Sequence, residues 1–369
     1  MFYSILLLLA LLLVGSFIFL HFHPVFGGSI AKTEYDNSQN KKDGVFVNQI
    51  ETNMTLSFKD GIKLLPEYFS KPPSREPKVA FSTMKIDQKE IESRAKQDPK
   101  LTWFGHSAFL LTMESKNILI DPMLGESASP ITFLGSKRYS KDLPIQVEEL
   151  PQIDLVLFSH DHYDHLDYPT ILKIKNKVKM FFVPLGLEKH LIRWGVAPEN
   201  IRTFDWYDGT DLYGIQFVCT PARHFSGRGL GDRFSTLWAS WVIKSPSHSI
   251  FFSGDSGYAP HFKEIGEKYG PFDLALIECG QYNEKWDNIH MFPEQTVQAG
   301  VDVKAKSLMP IHWGAFTLAL HPWTESVTRA SQAAKNFDIE FRTPEIGSTI
   351  SVKSDSSEVN YTQWWEAYQ

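Results

Sequence analysis

Cysteine is nearly absent from this 369-residue chain: there are two, Cys219 and Cys279. They match no paired metal or redox spacing, so they read as small buried residues and say nothing about redox compartment. An excess of basic charge is also missing. Lys+Arg is 37 against Asp+Glu 43, a net charge of −6. That balance is a poor match for a phosphate backbone, and no nucleic acid is expected as a partner. No repeat at a solenoid period and no low-complexity tract interrupts the chain, which excludes repeat architectures. Hydrophobic residues make up 43%, enough to bury a sizeable core in one large domain or two moderate ones.

Charge of either sign is missing from residues 2–20. About 20 apolar residues, at roughly 1.5 Å of rise each, span a hydrocarbon core. No Lys or Arg precedes the run, and it exceeds a usual signal-peptide core, so residues 1–23 are expected to be an uncleaved single-pass anchor. Ser29-Ile30-Ala31 is a weak small-x-small match to a cleavage site. Lys32, Lys41 and Lys42 follow the span, which leans the rest of the chain toward the cytoplasm by the positive-inside rule. Residues 24–77 are rich in Pro, Gly, Asn and Lys, with Pro66, Pro72, Pro73 and Pro77 punctuating the end. They are expected to be a connector, 78–350 the main domain, and 351–369 a tail.

In the main domain short apolar runs alternate with turn signals. Strands are expected at 108–113, 118–120, 155–158, 180–183, 215–219, 238–243, 250–252, 274–278 and 307–310. Helices are expected at 186–194, 259–269, 293–304 and 325–336. Two runs of strands, each followed by helices, imply an α/β layered sandwich.

The densest chemistry is Ser159-His160-Asp161-His162-Tyr163-Asp164-His165, directly after the apolar run Leu155-Val156-Leu157-Phe158. Three imidazoles and two carboxylates at a strand end would carry unpaired buried polarity without a cation. Imidazole and carboxylate are good ligands for zinc-like ions. The pattern His160-x-His162-x-Asp164-His165 resembles the signature of the metallo-β-lactamase superfamily. The resemblance implies an αββα sandwich with two metals, the first two His on one ion and Asp164 with His165 on the other. It also implies a His, a bridging Asp and a His further on. His224 follows Phe217-Val218-Cys219-Thr220-Pro221, Asp255 follows Ile250-Phe251-Phe252-Ser253-Gly254, and His312 follows Leu308-Met309-Pro310-Ile311. In di-iron relatives a Glu usually stands where His162 stands. An imidazole there, with no thiolate, suits two zinc ions, with iron or manganese as alternatives.

Further segments resemble one branch of that superfamily. They are Trp103-Phe104-Gly105-His106-Ser107-Ala108, Ile120-Asp121-Pro122, Asp232-Arg233-Phe234, Leu237-Trp238-Ala239-Ser240-Trp241, Gly254-Asp255-Ser256-Gly257-Tyr258, Gly270-Pro271-Phe272-Asp273-Leu274-Ala275 and Ile311-His312-Trp313-Gly314. Together, over about 78–343, they resemble the N-acyl-phosphatidylethanolamine-hydrolysing phospholipase D family. Pro24-Val25-Phe26-Gly27-Gly28 resembles its bacterial membrane-associated members. The resemblance implies a phosphodiesterase that cleaves a membrane lipid with metal-activated water, using Asp164, Asp255 and His290 as catalytic groups. His290 matches a His of the mammalian active site; the other reading is a surface His ahead of a helix. A lactonase or amide hydrolase, and a non-catalytic metal-binding domain, are the competing readings. Asp121 is expected to brace a metal ligand, and His106 to be structural. His248 and His321 read as ordinary. Arg223 and Arg228, among Gly227, Gly229 and Gly231, read either as a solvated surface turn or as a head-group loop. Phe225, Trp286, Met291 and Phe292 are candidates for an acyl-chain entrance. Oligomeric state is not legible.

Overall fold

The computed structural model describes residues 2–53, 62, 66, 74–94, 98–354 and 363–369; Pro72 and Pro73 of the expected connector lie outside them. A short hairpin, β1 (Lys41–Lys42) and β2 (Val45–Phe46), precedes two seven-stranded sheets. The first holds β3 (Lys100–Trp103), β4 (Phe109–Met113), β5 (Lys116–Ile120), β6 (Leu155–Leu157), β7 (Phe181–Pro184) and β8 (Ile201–Phe204). The second holds β9 (Gly209–Leu212), β10 (Ile215–Thr220), β11 (Ser240–Lys244), β12 (Ser249–Phe252), β13 (Phe272–Glu278), β14 (Ala305–Ile311) and β15 (Glu340–Phe341). β16 (Thr349–Ser351) returns to pair antiparallel with β3. Each sheet is antiparallel at one side and parallel at the other, in orders β16-β3-β4-β5-β6-β7-β8 and β15-β14-β13-β12-β11-β10-β9.

Period-two alternation sorts the side chains. Phe109, Leu111, Ile118, Ile120, Leu155 and Leu157 face Phe217, Trp241, Ile243, Ile250, Phe252 and Leu276 in one core between the sheets. Leu110, Leu119, Val156 and Phe181 point the other way, onto α3 (Tyr168–Ile174) and α4 (Glu188–Arg193). Val242, Phe251, Ala275 and Leu308 pack on α5 (His261–Tyr269), α6 (Pro293–Asp302) and α7 (Glu325–Ala334). The result is the four-layer αββα sandwich expected from the sequence. The nine expected strands are present within two residues at each end, and the four expected helices are present but shorter. The pattern did not reveal β3, β8, β9, β15 or β16. They are short or polar, and β9 lies half in solvent at a sheet edge. α3 and α2 (Gln88–Ser93) also went unread; both start on Asp caps, Asp167 accepting from Thr170 N and Asp87 from Glu90 N.

The segment ahead of the domain is docked where it is described. Val25 and Phe46 are buried. Trp194 Nε1 donates to Pro24 O at 2.6 Å, and Gly28 N donates to His190 Nδ1 at 2.9 Å. A Cβ at Gly27 would collide with the His190 ring, and Gly27 sits at φ 79°, so a side chain is excluded there twice over. The Gly-rich composition that suggested a connector therefore serves close packing. Likewise the expected tail contributes Trp364 and Trp365, both buried against Trp313. Ahead of these, α1 (Phe2–Phe22) is 21 residues long, wholly unburied, and long and apolar enough to cross a membrane. One basis for its orientation is weaker than the sequence suggested. Lys41 Nζ is capped by Lys32 O and Glu34 O and lies 3.3 Å from Asp36, so it is not a free positive charge.

Candidate metal centre

Four strand ends converge in the way parallel α/β sheets gather ligand-binding loops. β6 ends one residue ahead of Phe158, and Ser159–His165 form the following loop. That start is braced from the opposite sheet, where Trp241 Nε1 donates to Phe158 O at 2.9 Å and Ala239 N to Ser159 O at 2.9 Å. β10, β12 and β14 deliver His224, Asp255 and His312. His312 holds a left-handed backbone, φ 69°, and pairs its N–H with His106 O at 3.2 Å.

The seven residues singled out from the sequence come together in two groups. In one, donor atoms of His160, His162, His224 and Asp255 lie within 4.8 Å of one another. In the other, the same holds for Asp164, His165, His312 and His106. Asp255 sits between them. Its Oδ2 is 2.9 Å from His312 Nε2 and 3.8 Å from both His160 Nε2 and His224 Nε2, while Oδ1 is 3.2 Å from His165 Nε2. His165 Nε2 and Asp255 Oδ1 are buried and lack a hydrogen-bond partner. Two buried polar atoms this close yet out of hydrogen-bond alignment, among five imidazoles, are the arrangement a cation would satisfy.

The electrostatics carry the same message. Burial pushes the His160, His162 and His224 imidazoles below their ordinary value. Burial would also lower His312, but the Asp255 carboxylate overrides it and raises it to about 10. Asp164 and Asp255 are held well below the carboxylate range, burial notwithstanding, chiefly by His165. The buried carboxylates thus demand positive charge close by, supplied here by protons on imidazole and otherwise by metal. The donor set is imidazole and carboxylate. Cys219 and Cys279 are buried elsewhere, Cys279 Sγ turned to Ser326 O at 3.7 Å.

Supporting contacts fix the ring orientations. Asp121 Oδ2 accepts from His165 Nδ1 at 2.7 Å, and its Oδ1 accepts from Ser159 N at 2.7 Å, as expected of a brace. Ser159 Oγ lies 2.9 Å from His160 Nδ1, and His224 Nδ1 donates to Ile289 O at 3.1 Å. Asp161, though inside the motif, turns away. It is satisfied by Gly227 N at 2.9 Å, Thr236 Oγ1 at 3.0 Å and His190 Nε2 at 3.3 Å.

Several sequence readings need amendment. His106 is more than a turn residue: Nε2 lies 2.9 Å from Asp164 Oδ2, within the second donor group. Arg228 is neither a solvated surface residue nor a head-group ligand. Its buried guanidinium donates to Asp161 O, Leu166 O and Val25 O, because the metal loop and the docked N-terminal segment leave those carbonyls without other donors. Arg223 is held by Glu51 O, Thr52, Tyr258 O and Asn288. His290 lines a cavity of about 250 Å³ over the donor groups, so it is not an isolated surface residue. Phe225 and Trp286 line that cavity too, joined by Leu318 and Ile289. Met291 is fully buried, and Phe292 starts α6, its N–H on Gln295 Oε1. Glu278 was missed altogether. It is fully buried at the end of β13 and accepts from His290 Nδ1 at 3.0 Å. The available signal was a lone acid closing an apolar strand, the pattern that also marks Asp255.

Known proteins share this frame. The Beta-lactamase superfamily domain matches residues 116–313. An uncharacterised protein of Mycobacterium tuberculosis is 36% identical over 89% of this chain and 88% of its own length. The Caenorhabditis elegans N-acyl-phosphatidylethanolamine-hydrolyzing phospholipase D 1 is 36% identical over 59% of this chain, which spans 64% of that enzyme's length. The structure of a metallo-hydrolase from Ignicoccus hospitalis superposes with a TM-score of 0.51 at 24% identity, covering 69% of this chain and 98% of that one. With the domain match spanning more than half of the sequence, the chain belongs to the β-lactamase superfamily and is a hydrolase of the metallo-β-lactamase fold.

Proposed function

We propose that the chain is a phospholipase D-type phosphodiesterase that cleaves N-acyl phosphatidylethanolamine or a related membrane lipid, with α1 as its bilayer anchor. The observation that carries this reading is the cavity. Its floor is His162, Asp164, Asp255 and His312, and its walls include Phe225 and Trp286, so a polar diester and an apolar chain fit side by side. The similarity to the nematode phospholipase supports the same substrate class.

His160, His162, His224 and Asp255 would hold one ion, and Asp164, His165 and His312 the other, with Asp255 between. Zinc is the proposed metal and iron or manganese the alternatives. Such ions supply an activated water and charge stabilisation for a phosphoryl group. The protein's part is to fix the donors on rigid strand ends and present His290 to the reacting diester. Tethering through α1 would raise the effective concentration of a lipid substrate without new contacts.

Mass spectrometry of lipid extracts incubated with zinc-loaded protein tests the reading. The expected products are phosphatidate and N-acylethanolamine. Asp164→Asn, which leaves an amide facing His106 and His312, should lower product formation at least about 100-fold through lost metal. Ready hydrolysis of lactones or amides, with every phospholipid left intact, overturns the proposal in favour of carbonyl chemistry.

A further inference from the structure

β13 is apolar through Leu274-Ala275-Leu276-Ile277 and then ends in Glu278, a carboxylate with no solvent exposure. Burying an acid in a core is unfavourable unless its lone pairs are used. Here they are. Oε1 lies 3.0 Å from His290 Nδ1 and accepts from Gly280 N at 3.4 Å, and Oε2 accepts from Met291 N at 3.0 Å. The segment from Cys279 to Met291 therefore leaves the strand and comes back to the same carboxylate. Thr296 Oγ1 of α6 secures the backbone, donating to Glu278 O at 2.7 Å.

The ring held in this way faces the site. His290 stacks nearly parallel to His312, centroids 5.1 Å apart at 19°, and sits edge-on to His224 at 5.2 Å. Donor atoms of His290, His312 and Asp255 lie within 4.8 Å of one another, and His290 lines the cavity. The hydrogen bond at one imidazole nitrogen decides which nitrogen carries the proton.

We propose that Glu278 is a positioning residue that locks His290 in its Nδ1–H tautomer, leaving Nε2 to meet the substrate as a hydrogen-bond acceptor. In that tautomer Nε2 accepts from a proton-bearing group such as the attacking water and offers nothing to a bare phosphoryl oxygen, so His290 serves the water side of the reaction. This rests on the phosphodiesterase reading for its substrate, but not for its geometry.

The test uses zinc-loaded full-length protein in detergent micelles, labelled with ¹⁵N-histidine. Two-bond ¹H–¹⁵N couplings report the tautomer, and the His290 signals are those lost in His290→Asn. The wild type should show Nδ1–H at His290. In Glu278→Gln one amide cannot accept from both His290 Nδ1–H and Met291 N–H, so the Nε2–H form should grow. At matched zinc occupancy, the value of kcat on N-acyl phosphatidylethanolamine should then fall about 10- to 100-fold, with little change in KM. Glu278→Asp, which keeps the charge, should recover part of kcat. An Nε2–H tautomer in the wild type overturns the proposal, and this needs no variant to fold. So does a Glu278→Gln protein with unchanged tautomer and kcat. If the wild type cleaves no phosphodiester, the substrate reading fails while the tautomer still decides the role of Glu278.

Discussion

Replacing Arg228 with Met removes a buried guanidinium that ties the N-terminal segment to the metal loop. Met has a similar reach and no donor. It would leave Asp161 O, Leu166 O and Val25 O without the donors that now reach them at 2.6, 2.8 and 3.0–3.1 Å. Each orphaned buried carbonyl costs about 1–3 kcal/mol. Against that stands the relief of no longer burying a charge. Burial already lowers the Arg228 pKa, which shows the guanidinium is held at some desolvation cost. With three carbonyls orphaned and that relief set against them, the net loss expected is about 3–5 kcal/mol. For 369 residues, at roughly 2.1 cal/mol/K per residue, this corresponds to a Tm lower by about 4–6 °C. One of the three carbonyls, Asp161 O, belongs to the metal loop and a second, Leu166 O, directly follows its last donor, His165, so zinc affinity should fall together with Tm. Scanning calorimetry of the metal-free and zinc-loaded forms measures both. A Tm within 1 °C of the wild type, with unchanged zinc affinity, would refute the claim that this arginine organises the loop.

Two further outcomes follow from the site. Asp121→Asn keeps one acceptor, so its amide must face either Ser159 N–H or the His165 Nδ1–H. Zinc affinity by chelator competition should drop about 10- to 100-fold, and a change under twofold would remove Asp121 from the bracing role. His312 is raised from the ordinary 6.5 to about 10 in the metal-free chain. A raised pKa gives stability that is complete below about pH 6.5 and lost as pH rises toward 10. A metal must displace that proton, so zinc affinity should climb about tenfold per pH unit through the same window. Affinity that stays flat from pH 7 to 9 would show that no such proton is displaced.

The sequence by itself determined the layered fold and singled out seven residues of the two donor groups, though not His106. Strand 155–158 and the loop after it could be read because apolar runs and crowded His and Asp leave little else they could be. The downstream donors His224, Asp255 and His312 share one grammar, a polar residue one to four positions beyond an apolar strand, and that grammar is local. What the tertiary structure decided was every role that depends on a partner distant in sequence. Arg228 is buried because Val25, 203 positions away, offers it a carbonyl. His106 enters the second donor group because Asp164 is folded onto it from 58 positions away. Asp161, inside the motif, is turned away from the donor groups because Gly227 and Thr236 satisfy it in the interior. Residues 24–77 read as a connector from composition, yet residues 24–28 dock because Gly27 leaves room for His190 and the carbonyls of Pro24 and Val25 find Trp194 and Arg228. Periodicity records which face of an element is buried; only three-dimensional closure fixes which donor meets which acceptor, and in this chain those pairings separate the residues that would hold a metal from those that merely lie beside it.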